Sequence, residues 1–76
     1  MEIDYLKETD EIIVQLKLHG KLELSEAIKN IVDGASTGTE LIMGLKYTLE
    51  KHSRDIPKII SPKVKKLIEY IDSQLE

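Results

Sequence analysis

Hydrophobic residues recur along this chain at the spacing of helices. The clearest run lies near the C-terminus, where apolar side chains fall at i, i+3, i+4, i+7 and i+11, a spacing that places them on one helix face. Pro62 suits a first helical position, and Ser61 suits the cap before it. The sequence therefore predicts an amphipathic helix over residues 62–75. Its buried stripe comprises Val64, Leu67, Ile68, Ile71 and Leu75.

A second stripe follows the small and hydroxyl residues GASTGT and predicts a helix over residues 38–52. Thr37 and Glu40 have the spacing of a capping box, in which the hydroxyl and the carboxylate satisfy backbone N–H groups at the helix start. Gly44 costs up to about 1 kcal/mol relative to Ala inside a helix. Its presence predicts that another helix approaches closely there. The buried side chains of this helix are Leu41, Ile42, Leu45, Thr48 and Leu49.

The segment before GASTGT predicts a further helix over residues 22–33, ended by Asp33-Gly34. Its start is less defined than its end, and the hydroxyl of Ser25 is interpreted as a cap. Ser53 to Ile60 is predicted to be a loop or short helical turn whose isoleucines contact the bundle. The apolar face of the helix comprises Leu24, Ala27, Ile28, Ile31 and Val32.

The first twenty residues fit two structures. A helix over residues 4–18 would have Asp4 as its cap and Gly20 as its stop, and this is the preferred prediction. Alternating apolar and polar residues instead indicate a hairpin over residues 12–24. Lone hairpins are marginal in water, and the segment is poor in β-branched and aromatic residues. The helical stripe would comprise Ile3, Tyr5, Leu6, Ile12, Ile13 and Leu16.

These elements predict an all-α fold, a bundle of three to four short helices in a single domain over residues 1–76, with an α+β fold as the alternative if the hairpin forms. A chain of 76 residues is too short for two separate cores. It has no cysteine, no apolar run long enough to span a membrane, and an N-terminus unlike a secretory signal. We therefore expect a cytoplasmic protein without membrane attachment.

Candidate chemistry is sparse. The GASTGT segment lacks the Gly-Lys-Ser/Thr ending of a phosphate-binding loop, and Glu40 would repel a phosphate. His19 and His52 are the two histidines of the chain, and neither belongs to a metal-ligand motif. Each is expected at a helix end. We therefore predict no catalytic residue, no metal and no cofactor.

Charge is distributed unevenly, although the net charge is only −3. Five acids against one lysine give the first eleven residues a charge of −4, while four lysines lie between residues 56 and 68 without an acid. Antiparallel packing of the first and last helices, or contact between two copies, would bring the two segments together. The lysines, a candidate face for an anionic partner, are Lys58, Lys63, Lys65 and Lys66.

The function expected from these features is that of a small noncatalytic protein-interaction module that binds a protein partner or itself. The aliphatic side chains exceed what a core of this size needs, and surplus apolar surface favours association. One alternative is a regulator that binds DNA through a helix-turn-helix formed by the second and third helices. Another is an acidic inhibitor, antitoxin or immunity-type protein with a basic partner. The residues expected to form the uncovered patch are Met43, Tyr47, Ile56, Ile59 and Ile60.

Overall fold

A computed structural model describes residues 4–75 of the chain. Within this range, 72 of the 76 positions, the chain is helical apart from short connections, and no strand is present. The all-α prediction is therefore confirmed. Its elements are α1 (Tyr5–Leu18), α2 (Leu22–Gly34), α3 (Gly38–Lys51) and α4 (Ser61–Leu75), with a 3₁₀ turn at Ser53–Asp55 between α3 and α4.

The turn between α1 and α2 excludes the alternative hairpin over residues 12–24. The alternation that suggested it is interrupted at Gly20, which has a φ of +76°. This left-handed conformation is accessible to glycine without the steric cost of a Cβ, and it ends α1 as predicted. At the other end of α1, the carboxylate of Asp4 accepts a hydrogen bond of 3.1 Å from the Lys7 N–H. The predicted cap and stop are thus both present.

The capping box at the start of α3 is also present. The Glu40 N–H donates to the Thr37 hydroxyl at 3.1 Å. The Glu40 carboxylate accepts from the Ser36 N–H at 3.1 Å, one residue before the expected position. GASTGT therefore leads into a helix, and the carboxylate of Glu40, the residue that follows it, is hydrogen-bonded to the backbone there.

Two serines do not have the capping roles that we expected. Ser25 is the fourth residue of α2 and is fully buried, and its hydroxyl donates to the Leu22 carbonyl at 2.9 Å. Ser61 is the first residue of α4 rather than its cap. The Ile60 carbonyl accepts the first hydrogen bonds of this helix. Pro62 is consequently the second helical residue, where a missing N–H is still harmless.

The four helices form a closed ring around one core. α1 packs against α2 and α4, and α3 packs against the same two helices. The core is aliphatic, and polar members are confined to hydroxyl side chains such as that of Thr9, which donates to the Tyr5 carbonyl at 2.6 Å. The buried apolar residues are Ile12, Ile13, Leu16, Leu24, Ile28, Leu41, Ile42, Leu45, Leu49, Ile60, Val64, Leu67 and Ile71.

The predicted stripes were correct at their centres and less accurate at their ends. All five predicted side chains of α3 are buried. Leu6 near the start of α1 and Leu75 at the end of α4 are 44% and 41% exposed. Ile3 lies outside the described residues.

Gly44 of α3 lies in close contact with Ile31 of α2. A Cβ placed on Gly44 would lie 2.9 Å from Cγ2 of Ile31. This methyl group is attached directly to the branched Cβ of a helical isoleucine, where side-chain rotation is restricted. The predicted helix contact at Gly44 is therefore confirmed.

We expect Gly44→Ala to destabilise the fold. Alanine gains up to about 1 kcal/mol in helix propensity, but forcing a methyl group into a packed contact typically costs about 1–3 kcal/mol. The net effect should be a loss of about 1 kcal/mol in the free energy of unfolding, measured by urea denaturation and circular dichroism at 222 nm.

Gly34→Ala is the matched control, because a Cβ at Gly34 meets no atom within 4 Å. It should leave stability unchanged or raise it. Adding Ile31→Ala to the Gly44→Ala variant should cost less than Ile31→Ala costs alone. A Gly44→Ala variant more stable than the wild type would show that the two helices separate without cost.

Candidate interaction surfaces

The first and last helices pack antiparallel, which is one of the two arrangements that would bring the acidic and basic segments together. The Lys63 ammonium donates to the Glu11 carboxylate at 2.6 Å and lies 3.8 Å from Glu8. At the other end of the same interface, the rings of Tyr5 and Tyr70 stack with centroids 5.7 Å apart. The acidic and basic segments of the sequence therefore meet within one molecule.

This ion pair shifts the pKa values of both partners. The hydrogen bond from Lys63, together with its charge, lowers the pKa of Glu11 below its ordinary value of 4.5. The hydrogen bond to Glu11 raises the pKa of Lys63 above 10.5. Both side chains are solvent-accessible, so salt screens their attraction.

A second ion pair joins α3 to α4, between Lys46 and Asp72. The hydrogen bond to Asp72 raises the pKa of Lys46 above 10.5. Sequence reasoning did not identify this pair, since its members lie 26 positions apart in segments without a charge bias.

The predicted basic face is smaller than the sequence suggests. Lys63 is engaged by α1, whereas Lys58, Lys65 and Lys66 are exposed. No carboxylate of residues 4–75 lies within 4.0 Å of these three ammonium groups. Three lysines therefore remain for an anionic partner.

The structure divides the predicted apolar patch. Ile60 is only 1% exposed and belongs to the core, so its inclusion in an uncovered patch was wrong. It is buried because the turn into α4 directs it inward with Val64. Ile56 is half-buried against the core. Met43, Tyr47 and Ile59 are 54%, 66% and 74% exposed, with the first two on α3 and Ile59 in the connection before α4.

Met43 and Tyr47 lie on the side of α3 that faces away from the core. At about 100° per residue, both point within about 20° of the direction opposite Leu45, which is fully buried. The Lys51 ammonium lies 5.7 Å from the centroid of the Tyr47 ring, a cation–π distance. Glu40 lies one turn before Met43 on the same side. We call the surface formed by Glu40, Met43, Tyr47 and Lys51 the α3 outer face.

A second apolar surface was missed by sequence reasoning. Val14 and Leu18 are exposed one turn apart on α1, and Leu22 is exposed at the start of α2. The sequence feature that could have identified them is the alternation of apolar and polar residues that suggested a hairpin. Leu16 is buried, whereas Val14 and Leu18, two positions away on either side, face solvent. We call Val14, Leu18 and Leu22 the α1–α2 corner.

Residues with catalytic or ligand-binding potential are dispersed. His19 and His52 follow the last turns of α1 and α3, as expected. The His19 ring contacts the Gln15 carbonyl at 2.9 Å, and the His52 ring lies 3.6 Å from Asp55 beside an open depression. Within residues 4–75, no three His, Asp or Glu side chains are close enough to hold a metal ion.

The chain matches no described protein family, no curated protein and no solved structure. Across the described residues, no helix combines the length and apolar character needed to cross a membrane.

The Lys63–Glu11 pair predicts a specific pH dependence. Because the pKa of folded Glu11 is lowered, the pair contributes its full stabilisation above pH 4.5 and loses it as the pH falls through the folded value. Because the pKa of Lys63 is raised, the contribution is also lost as the pH rises through a value above 10.5. Lys63→Met should therefore differ from the wild type most near neutrality and least at either extreme.

Titration of the Glu11 carboxyl by NMR measures this directly. Its pKa should rise in Lys63→Met and stay as in the wild type in Lys65→Met, a neighbouring exposed lysine without an ion pair. Equal Glu11 pKa values in wild type and Lys63→Met would show that the pair is not formed in solution.

Proposed function

We propose that this chain is a small, noncatalytic protein-interaction module of the cytoplasm, and that its binding surface is the α3 outer face. The observation that carries the proposal is the exposure of Met43 and Tyr47 on a rigid helix, directly opposite the core. A methionine and a tyrosine on a folded surface are side chains that protein interfaces favour. The absence of cysteine is consistent with a reducing compartment.

The α3 outer face is a better candidate than the α1–α2 corner. Valine and leucine are under-represented among the residues that dominate binding energies, whereas tyrosine is enriched. The Lys51 ammonium lies 5.7 Å from the centroid of the Tyr47 ring, and a cation–π interaction at this distance favours one orientation of the ring before any partner arrives. A side chain already held in place loses less conformational entropy on binding.

The noncatalytic part of the proposal is supported by how the polar residues are used. The Thr9 and Ser25 hydroxyls donate to backbone carbonyls of their own helices. The two histidines lie at separate helix ends, and neither is hydrogen-bonded to a nucleophile. A general base needs a reacting group within hydrogen-bonding reach.

The alternative functions receive less support. The acidic segment of α1 is partly neutralised by Lys63, which weakens the case for binding a basic partner. DNA recognition through α3 would direct Glu40 and Glu50 toward phosphates, together with Met43 and Tyr47, and acidic side chains are repelled there. Retention of the wild type on heparin, abolished by alanine at Lys58, Lys65 and Lys66, would favour the DNA-binding alternative.

Retention of partners on the immobilised chain tests the proposal. Cell extract is passed over wild type, Met43→Lys/Tyr47→Lys and Leu18→Lys, the last introducing a lysine at the 72%-exposed Leu18 of the α1–α2 corner. We expect at least one protein that is bound by wild type and Leu18→Lys and is reduced at least tenfold on the α3 variant.

Circular dichroism verifies that all three proteins are folded. The same bound proteins on all three columns would contradict a binding role for the α3 outer face. Proteins lost only from the Leu18→Lys column would transfer the role to the α1–α2 corner.

A further inference from the structure

The α3 outer face has its charges in a fixed order along the helix. Glu40 lies in the first turn, Met43 and Tyr47 follow, and Lys51 is the last residue. The spacing i, i+3, i+7 and i+11 keeps all four on one side, over a length of about 16 Å between the two charges. An apolar centre is thus flanked by an acid at one end and a base at the other.

Two copies of the α3 outer face have complementary charges only when their α3 helices run antiparallel. In an antiparallel pair related by a two-fold axis, each contact occurs twice. Glu40 of each copy then meets Lys51 of the other, and Met43 meets Tyr47. A parallel pair would place Glu40 against Glu40 and Lys51 against Lys51.

The residues along the two long edges, or flanks, of the α3 outer face are compatible with the same antiparallel pair. A two-fold axis perpendicular to both helices places each flank of one copy beside the same flank of the other copy. Glu40 and Lys51 share one flank of α3, while Thr39 and Glu50 share the other. Glu50 therefore faces the uncharged Thr39 of the second copy rather than another carboxylate.

We propose that two copies of this chain associate through their α3 outer faces, antiparallel about a two-fold axis between Met43 and Tyr47. This inference rests on the proposed role of the α3 outer face in binding protein, and it names the partner as a second copy. Contact through a single helix buries less than the roughly 800 Å² per partner of a standard interface. The dimer should accordingly be weak, like other small and transient interfaces.

Sedimentation equilibrium from 10 µM to 2 mM, at low salt, tests the proposal. The wild type should show a reversible monomer–dimer equilibrium. Lys51→Glu places a carboxylate against Glu40 at both ends of the dimer and should raise the dissociation constant about tenfold or more. Glu40→Lys places two ammonium groups together at both ends and should have the same effect. The double variant Glu40→Lys/Lys51→Glu should restore association, because it exchanges the charges without changing their complementarity.

Lys17→Glu is the matched control, since Lys17 is an exposed lysine in the last turn of α1. It should leave the dissociation constant unchanged. Glu40 also hydrogen-bonds to the backbone at the start of α3, so each variant is first shown by circular dichroism to be folded. Lys51→Glu keeps the test informative if Glu40→Lys unfolds.

Cross-linking determines the orientation, because the chain has no cysteine of its own. Thr39→Cys and Glu50→Cys, mixed in equal amounts and oxidised, should form mainly the mixed disulfide. Predominant disulfides between identical variants would overturn the antiparallel arrangement.

A wild type that stays monomeric to 2 mM would overturn self-association and leave the proposed function to the retention experiment. A dimer unaffected by Lys51→Glu would show that another surface joins the copies. That result would support an interaction module while contradicting the use of the α3 outer face for pairing.

Discussion

The structure depends on the return of α4 to α1. Each helix is short and has only one apolar stripe, and an isolated helix of this length is marginal in water. When α4 packs antiparallel to α1, Leu67 and Ile71 become inaccessible to solvent, and the ring of helices closes around a shared core. The Tyr5–Tyr70 stack and the Lys63–Glu11 pair lie along that closing interface. Helix stability and tertiary packing are therefore inseparable in this chain.

The same closure distributes the charges of the surface. Lys63 pairs with α1 and Lys46 pairs with Asp72 of α4, so two cations contribute to joining helices rather than to binding other molecules. Exposed pairs of this kind contribute little to stability. They have a larger effect on specificity, because they favour one arrangement of neighbouring helices over others of similar hydrophobic burial. The surfaces available for recognition include the outward sides of α1 and α3 and the exposed Lys58, Lys65 and Lys66.

Two groups of exposed apolar side chains lie one turn apart on single helices: Val14 and Leu18 on α1, and Met43 and Tyr47 on α3. Leu6, Leu22, Ile59 and Leu75 are also exposed. Scattered exposed hydrophobic residues are normal on a protein surface. Two such groups on a chain of 76 residues support the proposal that association is part of its function.

The helices were predictable from the sequence because local interactions define their ends. The Asp4 cap, the stop at Gly20 and the Thr37–Glu40 box each involve atoms within four residues, and the helix bounds agreed with prediction to within one residue. Burial depended instead on which neighbours cover each turn. Ile60 enters the core and Leu6 does not, although both are large aliphatic residues in an apolar pattern. Periodicity identifies the face of a helix that turns inward, but only packing between distant segments determines where that face ends and which charged residues meet across it.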